Sequence, residues 1–148
     1  MQVAASSTEP VFVETANPAA GAYDALLREL RRFTTDVVGT PDNKNFAVLI
    51  LDPETGEPSG GLWAQSRWGG FHIDMLVVPE ALRGRGVGRR LMQAAEAEAK
   101  RRQCHHMLLD TYDFQARPFY EKLGFEVFGQ LDGPGPIYPR FFMMKKLG

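Results

Sequence analysis

The segment Arg83-Gly84-Arg85-Gly86-Val87-Gly88 constrains this chain more than any other. It follows a strand-like run, Ile73 to Val78, and leads into a helix-like run, Leu91 to Lys100. Glycines at alternate positions let the backbone turn tightly where a Cβ would obstruct it. The turn feeds a helix N-terminus, whose first N–H groups lack intrahelical partners and carry partial positive charge. Strand, glycine turn and helix start in succession form a site for a phosphate or diphosphate. Arg83, Arg85, Arg89 and Arg90 surround the turn with positive charge, so an acidic, phosphorylated ligand is expected there.

A glycine-rich segment of this length is also compatible with being only a turn. Two other nucleotide-binding loops fit less well. The phosphate loop ending in Gly-Lys-Ser/Thr is absent, so no lysine and metal-binding hydroxyl stand where that loop needs them. A dinucleotide-binding fingerprint belongs beside a first strand and has a different glycine spacing. Glycine spacing and position weaken the dinucleotide reading, but Asp110, 22 residues beyond Gly88 and close to where that fingerprint needs an acidic residue, keeps it from being excluded.

The chain's 148 residues suit one domain, residues 1–148, with a single sizeable core. Its 44% hydrophobic and 24% charged content excludes disordered and fibrous classes. A net charge of −1 argues against a nucleic-acid-binding surface, and the arginines cluster locally, as a small anionic ligand requires. Cys104 is the only cysteine, which rules out an intramolecular disulfide and a cysteine metal cluster. It reads as a buried structural thiol rather than a nucleophile. Met1 to Thr15 lacks the charged and apolar regions of a secretory leader, and no apolar run approaches the roughly 20 residues of a membrane span. The expectation is a cytoplasmic protein with no membrane partner.

Residues 1 to 9 read as a loose end, and Val11-Phe12-Val13 as a short strand. A helix is expected from Pro18 or Ala19 to about Thr35, with Tyr23, Leu26, Leu27 and Leu30 along one face and Gly39-Thr40-Pro41-Asp42 breaking it. Phe46–Leu51, Gly60–Arg67 and Phe71–Val78 read as three strands of an antiparallel meander, joined by the Asp52–Gly56 turn and by Trp68-Gly69-Gly70. After the glycine loop comes a helix with Leu91, Met92, Ala95 and Ala99 on its apolar side. A strand at His106–Thr111, a helix at Gln115–Leu123 with Pro118 in its first turn, and closing strands at Phe125–Leu131 and Arg140–Lys146 complete the chain. The loop Asp132-Gly133-Pro134-Gly135-Pro136 separates the last two. The strand, loop, helix, strand unit in the middle implies one parallel pairing in a mixed sheet. The fold class is therefore α/β (α+β), with about six to seven strands flanked by helices.

About 30 residues after the loop stands Ala116-Arg117-Pro118-Phe119-Tyr120-Glu121-Lys122-Leu123-Gly124-Phe125. Together the two segments resemble the GNAT superfamily of acyl-CoA-dependent N-acyltransferases. Arg83, Gly86 and Gly88 match that family's Q/R-x-x-G-x-G/A loop, and the later segment matches its A-x-x-F/L-Y-x-K-L-G-F motif. The likeness is clear from about Gly60 to Lys146, whereas residues 1 to 45 agree only in element order. It implies a twisted sheet splayed in the middle, with the thioester of acetyl-CoA, the co-substrate, in the split and no metal. Backbone N–H groups of Arg85 to Arg89, with Arg83, Gly84, Gly86, Val87 and Gly88, would hold the diphosphate. Met75, Leu76, Val77 and Val78 would pair with the pantetheine arm and donate a main-chain N–H to the acyl carbonyl.

The resemblance further implies that Tyr120 protonates the departing thiolate, a task suited to a phenol hydroxyl. His72 and Asp74 alternate on one strand face and are candidates for taking the amine's proton, with a water chain as a third route. Two departures stand out. One extra residue separates Pro79 from Arg83, and Asp113 occupies the position of a frequent asparagine, which puts its contact to the coenzyme arm in doubt. Glu80 and Asp113 are also candidates for the acceptor side. Trp63, Trp68, Phe71, Phe114, Tyr138, Phe141 and Phe142 divide between core and acceptor pocket in a way the sequence leaves open. The expected activity is acetylation of a primary amine on a small molecule or peptide, with a homodimer compatible. The alternative is a coenzyme-A-binding sensor module without turnover.

Overall fold

The computed structural model describes residues 8–40, 42–135 and 138–148. These fall into two units, the first ending at Thr40 and the second running from Pro41 to Gly148. Most of the expected loose end, Pro41 of the expected helix break and Pro136 of the closing loop lie outside the described residues. In the first unit, helix α1 spans Ala22–Val38. It starts later than its sequence suggests because Gly21 adopts a left-handed φ of 86° immediately before it. It continues past Thr35, whose hydroxyl, like that of Thr34, bonds back to a carbonyl four residues earlier at 2.8 Å. The strand expected at Val11–Val13 does not form: these residues lie outside the six-stranded sheet. β propensity makes a strand only where a neighbour takes up the N–H and C=O groups.

In the second unit, β1 (Lys44–Leu51), β2 (Pro58–Arg67) and β3 (Gly70–Val77) form the expected antiparallel meander. A 3₁₀ turn at Glu80–Leu82 precedes α2 (Val87–Arg101), and β4 (His106–Tyr112), α3 (Arg117–Lys122), β5 (Glu126–Leu131) and β6 (Arg140–Lys146) follow. The sheet order is β1-β2-β3-β4-β6-β5. Only β3 and β4, joined through α2, run parallel; the other neighbours are antiparallel. Among the described residues no helix is long and apolar enough to cross a membrane.

One face of the sheet carries the core. Leu91, Met92, Ala95 and Ala99 of α2 belong to one buried cluster with Leu62, Ala64, Phe71, Ile73, Met107, Leu109, Phe141 and Met143 from inward positions of β2, β3, β4 and β6. Each large side chain buried this way stabilises the fold by about 1.5–3 kcal/mol. Arg102, just past α2, ties the helix end to the sheet. Its guanidinium donates to the carbonyls of Lys44 (2.8 Å) and Asn45 (3.0 Å), to Ser66 Oγ (3.0 Å) and to Glu98 (2.8 Å). It also lies 5.8 Å from the centroids of both Phe46 and Phe71. Glu98 is held below the usual carboxylate range chiefly by its hydrogen bond from Arg102.

The β2–β3 hairpin turns on Trp68 and Gly69, with φ of 47° and 77°. Two positive φ values in a two-residue loop match the right-handed strand twist, and Asn or Gly normally fills both places. A tryptophan in the left-handed region costs roughly 1–2 kcal/mol. Asp42 accepts a hydrogen bond from the Trp68 N–H at 3.1 Å, and His105 N–H donates to the Gly69 carbonyl at 2.7 Å. These contacts hold the turn from both sides.

Candidate active site

The site begins where two parallel strands part. β3 and β4 pair only at Gly70–His106, Phe71–Met107 and His72–Leu108. Both strands then continue unpaired with each other, β3 to Val77 and β4 to Tyr112. From Ile73 onward the β4-facing edge of β3 is therefore open, with its backbone polar groups available to a guest. A cavity of about 940 Å³ fills the opening. Ile73 to Val78 form one wall, Leu109 to Thr111 and Phe114 to Ala116 another, and the glycine loop lies at one end.

A bulge shapes the wall. Trp63 pairs with Met75 and Ala64 with Ile73, so Asp74 is an extra residue on β3. The inserted residue shifts the side-chain alternation by one, which leaves Asp74 and Met75 both exposed while Ile73 and Leu76 face inward.

At the loop, Arg83 donates Nε–H to the Val78 carbonyl at 3.2 Å and so pins the chain leaving β3. Gly86 precedes α2 with φ of 76°, a conformation disfavoured for any residue with a Cβ. The helix starts there rather than at Leu91: the Arg90 N–H bonds to the Gly86 carbonyl at 3.0 Å, leaving the amides of Val87, Gly88 and Arg89 without intrahelical acceptors. No side chain caps this end, and its first turn contains no acidic residue. A positive helix end beside Arg89 and Arg90 is electrostatically incomplete without an anion.

The two sequence motifs meet in space. A Cβ at Gly88 would lie 3.2 Å from Phe119 Cζ, so the small residue permits α3 to pack on the first turn of α2. The next residue, Tyr120, is 9% exposed and lines the same cavity. Its ring makes edge contacts with Phe119 (5.1 Å) and Phe125 (6.0 Å). Burial pushes its phenol above the ordinary tyrosine value, so the hydroxyl remains a proton donor throughout the neutral range.

His72 Nδ1 lies 2.8 Å from Asp74 Oδ1, and Gln65 Nε2 donates to Asp74 Oδ2 at 3.4 Å. Donation to the carboxylate places the imidazole proton on Nδ1 and leaves Nε2 as the basic nitrogen. Asp74 lines the large cavity. His72 lines a second one, of about 450 Å³, with Gln65, Arg67, Trp68, Gly70, His106 and Leu108.

Of the other residues singled out in the sequence, Met75, Leu76, Val77, Val78, Arg83, Gly84, Gly86, Val87, Gly88 and Arg89 line the large cavity. Arg85, Glu80 and Asp113 do not. Asp113 instead donates its N–H to the Pro139 carbonyl at 3.0 Å, and its neighbours Phe114 and Gln115 reach the cavity. The aromatic set divides. Phe71 and Phe141 are buried in the core, whereas Trp68, Phe114 and Tyr138 are exposed. Sequence reading passed over the end of β4, Leu109 to Thr111, because a strand that loses its partner has no distinguishing composition.

The acetyltransferase (GNAT) family model matches residues 13–125. Blasticidin-S acetyltransferase of Streptomyces morookaense is 35% identical over 122 residues, covering 82% of this chain and 88% of that protein. A crystal structure from Agrobacterium tumefaciens, assigned as an acetyltransferase, superposes with a TM-score of 0.86 at 28% identity, covering 93% of this chain and all of that one. An aminoglycoside 6'-N-acetyltransferase complexed with coenzyme A superposes with a TM-score of 0.56 at 25% identity, covering 69% of this chain and 72% of that one.

Proposed function

This chain belongs to the GNAT acetyltransferase family, and we propose that it moves an acetyl group from acetyl-CoA to a primary amine by direct attack in a ternary complex. The observation that carries this reading is the open edge of β3 running from the uncapped start of α2 to Tyr120 within one cavity. The residues fit the co-substrate. Amides of Val87 to Arg89, with Arg83 and Arg89, suit the diphosphate. Met75 to Val78 offer main-chain groups to an extended pantetheine arm, as an added strand does. A main-chain N–H on that edge would donate to the acyl carbonyl as negative charge develops on its oxygen.

The amine nitrogen forms a bond to the acyl carbon, and the carbon–sulfur bond breaks. Tyr120 donates its phenol proton to the departing sulfur, which its buried, protonated state favours. The proton lost by the amine passes to His72, oriented by Asp74, or through water to solvent. One relative is named for acetylating an antibiotic, so blasticidin S belongs in the acceptor panel.

The test pairs two measurements. Thiol release from acetyl-CoA is followed over a panel of amines, and coenzyme A binding is followed by calorimetry. Turnover of at least one amine is expected, with binding weakened at least about tenfold by Gly86→Asp, which sets a carboxylate beside the diphosphate. Tight coenzyme A binding with no turnover on any amine would support a sensor instead. Absence of binding would end the reading altogether.

A further inference from the structure

The second cavity, on the face of β2, β3 and β4 opposite α2, is not used by the glycine loop or by Tyr120. We propose that the body of the acceptor docks there, and that the cavity selects an amine bearing a flat ring and an anionic group over a polycationic amine. This rests on the acetyl-transfer reading above and names the acceptor's chemical class. Its position suits the role. His72–Leu108 is the last pair before β3 and β4 part, so the cavity abuts the opening. His72 lines it while the carboxylate bonded to that imidazole lines the large cavity, so a group held here lies one hydrogen-bonded pair from the thioester's place.

Charge sets the class. The lining side chains are Gln65, Arg67, Trp68, His72, His106 and Leu108, with no carboxylate among them. Asp74 already accepts from His72 and Gln65. Among the described residues Arg67 has no ion-pair partner, and its guanidinium lies 5.2 Å over the Trp68 ring. A polycation would meet an unneutralised arginine here, whereas a carboxylate or phosphate would complete it. The volume of about 450 Å³ is that of a small-molecule site.

Trp68 supplies the ring preference. It is 57% exposed and holds a positive φ that Asn or Gly would adopt without strain. The hairpin therefore does not need tryptophan for its turn. A strained, exposed aromatic at the rim of a cavity points to a contact made by its ring face.

The experiment uses three amines, 4-(aminomethyl)benzoate, benzylamine and spermidine. Binding to the coenzyme-A-loaded protein is measured by calorimetry, and turnover by thiol release. The benzoate should bind at least about tenfold more tightly than benzylamine, with spermidine weakest. Arg67→Gln should abolish the difference between the first two. Trp68→Asn should weaken both ring amines about tenfold through KM, leave the KM for acetyl-CoA unchanged and leave the unfolding temperature equal or higher. A merely structural tryptophan would not combine greater stability with weaker acceptor binding. Spermidine as the best ligand, a carboxylate preference that survives Arg67→Gln, or no binding of any of the three overturns the docking proposal. The expected binding selectivity, with no thiol release on these amines or on any of the wider panel, upholds the docking and instead overturns acetyl transfer.

Discussion

Tyr120→Phe separates chemistry from folding in one substitution. The ring stays between Phe119 and Phe125, so its packing and edge contacts persist. The lost hydroxyl has no hydrogen-bond partner among the described residues, and no fully buried side-chain oxygen there lacks one, which places the hydroxyl towards the cavity. Stability should therefore change by less than about 1 kcal/mol, the worth of one ordinary hydrogen bond. Loss of the proton donor should lower kcat by about 10²–10⁴-fold, equivalent to roughly 3–5 kcal/mol of barrier. Thiol release at saturating acetyl-CoA gives the rate, calorimetry gives coenzyme A affinity, and thermal unfolding gives stability. The pH profile adds a second readout. Because burial raises the Tyr120 phenol, the wild-type alkaline limb should begin above the ordinary tyrosine range, about pH 10. The raised value also means a stability contribution present below that range and lost as pH rises through the folded-state value. The phenylalanine variant should lack both effects. A rate within about threefold of wild type, with unfolding unchanged, would refute the assignment of the acid.

Two further predictions concern the scaffold. Arg102→Met should destabilise the protein by about 1–3 kcal/mol in denaturant unfolding, because it removes the bonds to the exposed Lys44 and Asn45 carbonyls and leaves the buried Ser66 hydroxyl without its donor; a loss below about 0.5 kcal/mol would show the clamp to be incidental. Burial acts to raise the Glu96 carboxyl, but hydrogen bonds and charge from Lys145 and Lys100 outweigh it, so the net shift is downward. Its contribution is thus present above the ordinary glutamate value and is lost as pH falls through the lowered one. Glu96→Gln should flatten the acid side of a stability-against-pH curve, and an unchanged acid slope would contradict the pairing.

The local elements were legible in the residues themselves. Gly86 before an apolar periodic run, Pro118 inside the first turn of α3 and Gly124 after its last were read without reference to anything distant, because helix hydrogen bonds span four residues. The Tyr120 segment, the meander and the single parallel pair followed from the same short-range signals. Val11–Val13 shows their limit, since a strand also requires a partner that no local pattern supplies. The site itself is a product of distant registers. Composition does not reveal that β3 and β4 stop pairing after His72–Leu108, nor that one extra residue at Asp74 shifts the alternation of β3. Arg102 reaches back 58 residues to Lys44, which no periodicity marks. The sequence alone nominated the residues proposed to carry the chemistry. Only tertiary structure decided that His72 and Asp74, bonded to each other, look into two different cavities, because sheet register is settled by the whole packed core and not by neighbours along the chain.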